Sequence, residues 1–319
     1  MVSKAAVSLQ ERAQESLTAR LSEILAALPD ETVRPGLDPR GFLADGETGQ
    51  VPYLAYDVRR LARFGTVGTI SSSELARGLT QVASGVGSEL SASAAKRPKF
   101  LAAYSSSGLA LNMFAPFLDG RTLVLDGQAL LKSKLETALK IGAKCGRPGF
   151  DLLSRNDNAV VAVETKCTEQ LKPKTRVAAT DFATLQQRPD GDPYAPRTRE
   201  LAAGPGAVEL YELLASDPCA FRHVDATQLL KQYLGLRNTH GTNACTLLYL
   251  HWEPENAADF DACGAHAEEA ERIGTYLTDR SVTFKSFTTT ALWEAWIAGD
   301  NPFLARHAAA LQRRYVVPV

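Results

Sequence analysis

Ala159-Val-Val-Ala-Val163, running straight into Glu164-Thr-Lys166, is the stretch that most restricts what this chain can fold into. An apolar run with no polar alternation reads as a strand buried on both faces, a central strand covered by helices. This one ends in a carboxylate and an ammonium. Side chains alternate along an extended backbone, so Glu164 and Lys166 project from one side and Thr165 from the other. A glutamate at the end of a buried strand is costly unless it is paired or bound to a metal.

Upstream, Arg147-Pro-Gly-Phe-Asp151-Leu-Leu153 places Asp151 where a turn gives way to a second strand, Phe150–Leu153. The polar turn Ser154-Arg-Asn-Asp-Asn158 can fold the two strands into a hairpin. Two carboxylates and an ammonium would then meet at one sheet edge. That set suits phosphodiester cleavage: Asp151 and Glu164 offer oxygen ligands for Mg²⁺, and Lys166 can orient or deprotonate a water. Apolar walls and a nearby metal are expected to lower the lysine pKa.

The pattern Pro148-x-x-Asp151…Glu164-x-Lys166 resembles the PD-(D/E)XK, or restriction-endonuclease-like, nuclease superfamily, with the departure that Pro148 and Asp151 are not adjacent. Further segments carry the likeness to bacterial type II restriction endonucleases: Tyr104-Ser-Ser-Ser107, Val163-Glu-Thr-Lys-Cys-Thr-Glu169 and Leu247-Leu-Tyr-Leu-His-Trp-Glu253. The resemblance implies an α/β fold whose restriction-endonuclease-like core is a central mixed β-sheet flanked by helices. It implies one nuclease domain over 1–319, with the core at about 73–287, an N-terminal helical and arm region at about 1–72, and a loop elaboration over 170–220. It also implies a Mg²⁺-dependent endodeoxyribonuclease, with Mn²⁺ able to substitute, that cuts double-stranded DNA as a homodimer and leaves a 5′-phosphate. In the roles it suggests, Asp151 and Glu164 bind metal, the Thr165 carbonyl adds a ligand, and Lys166 positions the attacking water. Glu89 would come from the helix before the sheet, and Gln228 with Lys231 from the helix after the Glu-x-Lys strand. The plainer alternatives for these three are an ordinary helix carboxylate and two surface side chains.

Composition narrows the setting. The chain has 319 residues, 45% of them hydrophobic, enough for a substantial core. No apolar run approaches the roughly 20 residues that span a bilayer, and the N-terminus is charged and amphipathic, so no membrane and a cytoplasmic location are expected. Five cysteines without a C-x-x-C pair argue against a disulfide framework. Cys219, His223, His240 and Cys245 superficially offer a zinc set, but Cys245 opens an apolar run and reads better as a small buried residue.

A net charge of −1 disfavours indiscriminate polyanion binding. Locally the balance differs: between Lys132 and Arg176 there are ten cations against five acids. A basic surround on a neutral protein fits selective DNA binding. Tyr104-Ser-Ser-Ser107 lacks a G-x-S-x-G elbow, which argues against a serine hydrolase; the serines can cap a helix or contact phosphates.

Periodicity predicts a helix over Ser8–Leu28, a loop or arm over 32–54, and a helix capped by Ser73 and running toward Leu90. A hairpin turn is expected at Asp119-Gly120, then a meander through Leu135–Leu139, the Asp151 strand and the Glu164 strand. After a Pro-rich insertion with one short helix near 208–215 come a helix at 225–236, strands at 246–252 and 282–287, and helices at 262–277 and 291–298. His251 ends its strand and is expected to hydrogen-bond locally. Two rivals stay open: a repair or recombination nuclease of the same fold, and a catalytically inactive DNA-binding protein on this scaffold.

Overall fold

A five-stranded mixed sheet forms the centre of the protein. The computed structural model describes residues 7–27, 67–85, 90, 100, 102–241 and 243–319. The strands are β3 (Lys132–Ala138), β4 (Gly149–Arg155), β5 (Val160–Lys166), β6 (Cys245–His251) and β7 (Val282–Thr288), and they lie side by side in that order. The first three form the antiparallel meander, while β5, β6 and β7 run parallel. Every residue of β6, and all of β5 except Lys166, is buried, as expected for the middle of a sheet covered on both faces.

One face packs on α1 (Leu9–Ala26), α2 (Ser72–Ser84), α3 (Ser106–Phe114), α9 (Thr289–Ala298) and α10 (Pro302–Tyr315). Leu152, Val161, Val163, Leu248 and Leu250 enter that core. The other face packs on α4 (Phe182–Gln186), α5 (Tyr194–Leu201), α6 (Gly206–Ser216), α7 (Ala226–His240) and α8 (Asp261–Leu277), with Phe150, Ala162, Leu247 and Tyr249 as the sheet's contribution. Each fully buried side chain of this size contributes about 1.5–3 kcal/mol by leaving water. Among the described residues no helix is long and apolar enough to cross a membrane.

Local chemistry accounts for most element ends. Helix α2 begins with a capping box: the Ser71 hydroxyl accepts from the Glu74 amide, and the Glu74 carboxylate accepts from the Ser71 amide at 2.8 Å. The expected cap, Ser73, is therefore already helical, and the helix stops at Ser84 before Gly85 rather than near Leu90. Asp225 caps α7 through the Gln228 amide at 2.9 Å. Asn301 caps α10, with Pro302 in the first turn where its missing N–H is harmless. The periodicity reading had no counterpart for α10.

Two expectations are corrected. The hairpin lies not at Asp119-Gly120 but between β1 (Leu123–Leu125) and β2 (Gln128–Leu130), around Asp126-Gly127. Both turn residues have left-handed backbone, φ 51° and 73°, as a two-residue type I′ turn requires. Ala115–Phe117 is instead a buried 3₁₀ turn continuing from α3, with Phe117 against Trp296 and Phe303 at 6.0 Å between ring centres. The 170–220 segment, expected to be a loop with one helix, carries α4, α5 and α6. Phe182 meets Tyr194 edge to face at 5.5 Å and Tyr211 at a tilt at 5.0 Å, contacts that bind the segment to itself. The 32–54 arm lies outside the described residues.

Candidate active site

Strand β5 carries Glu164 and Lys166 to the carboxyl end of the sheet, facing α7. Glu164 is 4% exposed and its carboxylate accepts three hydrogen bonds. Oε1 accepts from Lys166 Nζ and from Gln228 Nε2, both at 2.7 Å; Oε2 accepts from Gln232 Nε2 at 2.6 Å. Lys166 also donates to Gln228 Oε1 at 2.9 Å. Gln228 and Gln232 sit one turn apart on α7, so a single helix face clamps the Glu-x-Lys pair.

Strand β4 brings Asp151 alongside, its Oδ2 accepting from the Thr165 amide at 2.6 Å. Glu136 of β3 stands opposite Asp151, between the register pairs Leu135↔Leu152 and Thr137↔Phe150. Glu136 has φ 48°, a left-handed conformation that costs a non-glycine residue of order 1–3 kcal/mol. Gly85 makes room for it, since a Cβ there would lie 2.5 Å from the Cβ of Glu136.

Glu136, Asp151, Glu164, Lys166 and Gln228 face one cavity of about 420 Å³, lined also by Glu169, by Ser105–Ser107 at the start of α3, and by Gln10 and Gln14 of α1. Ser105 caps α3, accepting from the Gly108 amide at 3.0 Å, so the positive end of that helix opens toward the cavity. Glu136, Asp151, Glu164 and Glu169 supply four carboxylates to its wall, against the ammonium of Lys166.

Electrostatics follow from that excess. Burial, then the charges of Glu164 and Glu136, push the Asp151 carboxyl well above its ordinary range. For Lys166, burial works to lower the pKa, but the adjoining Glu164, helped by Glu169, Tyr249 and Asp225, raises it overall. The expected lowering of the lysine is therefore corrected: desolvation is the largest single effect, but the attractions of Glu164, Glu169, Tyr249 and Asp225 together outweigh it, and Lys166 is held charged. Lys132, Lys134, Lys140, Lys144, Arg147, Arg155, Lys172 and Arg176 are exposed, but none lines the cavity, and Lys132 and Arg155 are register partners at the far end of β3 and β4 from Asp151.

Of the residues singled out from sequence, the fold brings together Asp151, Glu164, Thr165, Lys166 and Gln228. Glu89 lies outside the described residues. Lys231 turns away: it donates to the Thr180 carbonyl at 2.7 Å and lies over the Phe182 and Tyr194 rings. Gln232 and Glu136 were missed. Gln232 follows Gln228 by four residues, a spacing the sequence displays. Nothing in the sequence announces the left-handed backbone at Glu136.

A mixed sheet whose central strand ends in Glu-x-Lys, with an aspartate from the adjacent antiparallel strand and helices closing both faces, defines a restriction-endonuclease-like protein. The chain belongs to the family described as Restriction Endonuclease associating with ARP, whose profile matches residues 70–316. Family membership supports a nuclease-like role. No curated protein and no solved structure gives a match.

Proposed function

We propose that this protein is a Mg²⁺-dependent endodeoxyribonuclease of the type II restriction kind, acting on double-stranded DNA as a homodimer. The observation that carries the reading is the convergence of Asp151, Glu164 and Lys166 in one cavity with an excess of carboxylates. The donor set fits a hard cation: the oxygens of Asp151 and Glu164 would hold Mg²⁺, with the Thr165 carbonyl as a further ligand. Asp151, strained by burial and like charge, is the group a divalent ion would relieve most. When bound, the ion neutralises phosphate charge and makes water a better nucleophile.

The chain's own residues supply orientation. Lys166, charged and fixed by Glu164 and Gln228, can hold a water by hydrogen bonding and offset charge developing on the phosphate. As an ammonium it orients that water rather than taking its proton. Gln228 and Gln232 hold the Glu164 carboxylate against rotation. The amides at the start of α3 lie across the cavity, where helix N-termini commonly receive phosphate oxygens.

Incubation of supercoiled plasmid with the pure protein and Mg²⁺ tests the proposal, with Glu164→Ala and Lys166→Ala as variants checked for folding by circular dichroism. Discrete bands from the wild type and none from either variant are expected. Cleavage retained by either folded variant overturns the assignment. Digestion restricted to ends, flaps or single strands would point to a repair nuclease.

A further inference from the structure

One strand across from Lys166, on the same sheet face, stands His251, its register partner. His251 meets His266 of α8 edge to face at 4.4 Å between ring centres, and the Glu253 carboxylate lies 3.3 Å from His251 Nε2. The ligand atoms of His251, Glu253 and His266 lie within 4.8 Å of one another, a clustering that no other His, Cys, Asp or Glu group achieves among the described residues. The Cys219, His223, His240 and Cys245 set thus does not converge.

Both imidazoles are buried, His266 completely and His251 to 4% exposure. In each ring one nitrogen has a polar partner: His266 Nε2 meets the Tyr249 hydroxyl at 3.0 Å, and His251 Nε2 meets Glu253. Both Nδ1 atoms are buried with no hydrogen-bond partner. An orphaned buried polar atom costs about 1–3 kcal/mol, so two side by side are poor core packing. The His266 ring has the form of a histidine ligand, Nε2 anchored by an outer partner and Nδ1 left for an ion, while an ion shared by His251 and Glu253 would sit at Nε2, between the ring and the carboxylate. Burial holds His266 neutral, pushing its pKa down to about 2. The cluster is reachable, since His251 and Glu253 line a second cavity of about 550 Å³ between α8 and β7.

We propose that His251, Glu253 and His266 form a second metal site, distinct from the Asp151–Glu164 centre and suited to a first-row transition ion of the zinc class. Two imidazoles and one carboxylate favour such an ion over Mg²⁺, which prefers oxygen donors throughout. Zinc ligands about 2.0–2.1 Å from the ion stand roughly 3.4 Å apart, so the three groups need close by little more than about 1 Å. The open side toward the cavity leaves room for a water or an external ligand in the remaining position. The site stands independently of the nuclease reading.

The test is calorimetric titration of the full chain, stripped with EDTA, with Zn²⁺ alone, alongside visible absorption with Co²⁺. Wild type should bind one tight equivalent of Zn²⁺, undiminished by millimolar Mg²⁺, and give d–d bands with Co²⁺. Asp151→Asn/Glu164→Gln should retain that equivalent. His266→Gln and His251→Gln should lose it, and Glu253→Gln should weaken it by at least about tenfold, the smallest effect typical even of outer-shell partners. Glu253, whose side chain is 21% exposed, tolerates substitution should His266→Gln fail to fold. No tight equivalent in wild type, binding unchanged in His251→Gln and Glu253→Gln, or loss in Asp151→Asn/Glu164→Gln would each overturn the proposal.

Discussion

Replacing Lys166 by methionine isolates what the salt bridge does for the fold. The pair is well buried, with side-chain exposures of 17% for Lys166 and 5% for Glu164 and an N–O distance of 2.7 Å. Methionine keeps the apolar stem and removes the charge. Glu164 would then be a buried carboxylate held only by the amides of Gln228 and Gln232. Breaking a buried pair from one side costs about 3–5 kcal/mol, chiefly because the remaining charge is uncompensated. With an unfolding entropy of about 2.1 cal/mol/K per residue over 319 residues, the melting temperature falls by roughly 5–7 °C. The double variant Glu164→Gln/Lys166→Met removes both charges and should recover to within about 1–2 kcal/mol of wild type, since neutral replacement of a buried pair is often tolerated. Calorimetric melts of the four proteins of the cycle in EDTA measure both terms. A single variant within about 1 kcal/mol of wild type, or a double variant as unstable as the single, refutes the reasoning.

Two further outcomes follow from the same site. Asp151→Asn should raise the melting temperature at neutral pH in EDTA. The folded carboxyl takes up its proton at higher pH than the unfolded one, so the wild type's disadvantage grows as pH rises through the raised value and disappears below the ordinary 3.8; melts across pH with equal differences at both ends would contradict this. Gln232→Leu strips a donor from Glu164 Oε2 and from the Gly149 carbonyl and should destabilise by about 1–3 kcal/mol in urea titration, with plasmid cleavage reduced.

Much of this was legible in the residues themselves. The unbroken apolar run before Glu164 identified a central strand, and alternation put Glu164 and Lys166 together without any knowledge of the helices around them. The meander and the strands β6 and β7 also follow from local pattern, while the parallel pairing of β6 and β7 does not. What was hidden depends on tertiary contact. Lys231 and Gln232 are neighbours on one helix, and only the rotation of α7 against the sheet turns the glutamine inward and the lysine onto Phe182 and Tyr194. The Pro-rich insertion hid its helices because edge-to-face and tilted ring contacts between distant positions, not propensity, hold them. The charge state of Lys166 turned on a competition between burial and its bridge to Glu164 that spacing alone does not weigh.

Helix α1 ends more than forty residues before the family match, yet Gln10 and Gln14 stand in the wall of the cavity that holds Asp151 and Lys166. A protein trimmed to residues 70–316 would keep every acid and the lysine while losing one side of the chamber around them. Leu17 and Leu21, on the buried face of that helix, would go with it and leave bare apolar surface behind. Part of the chamber's wall is thus built by a segment that the shared family region does not include.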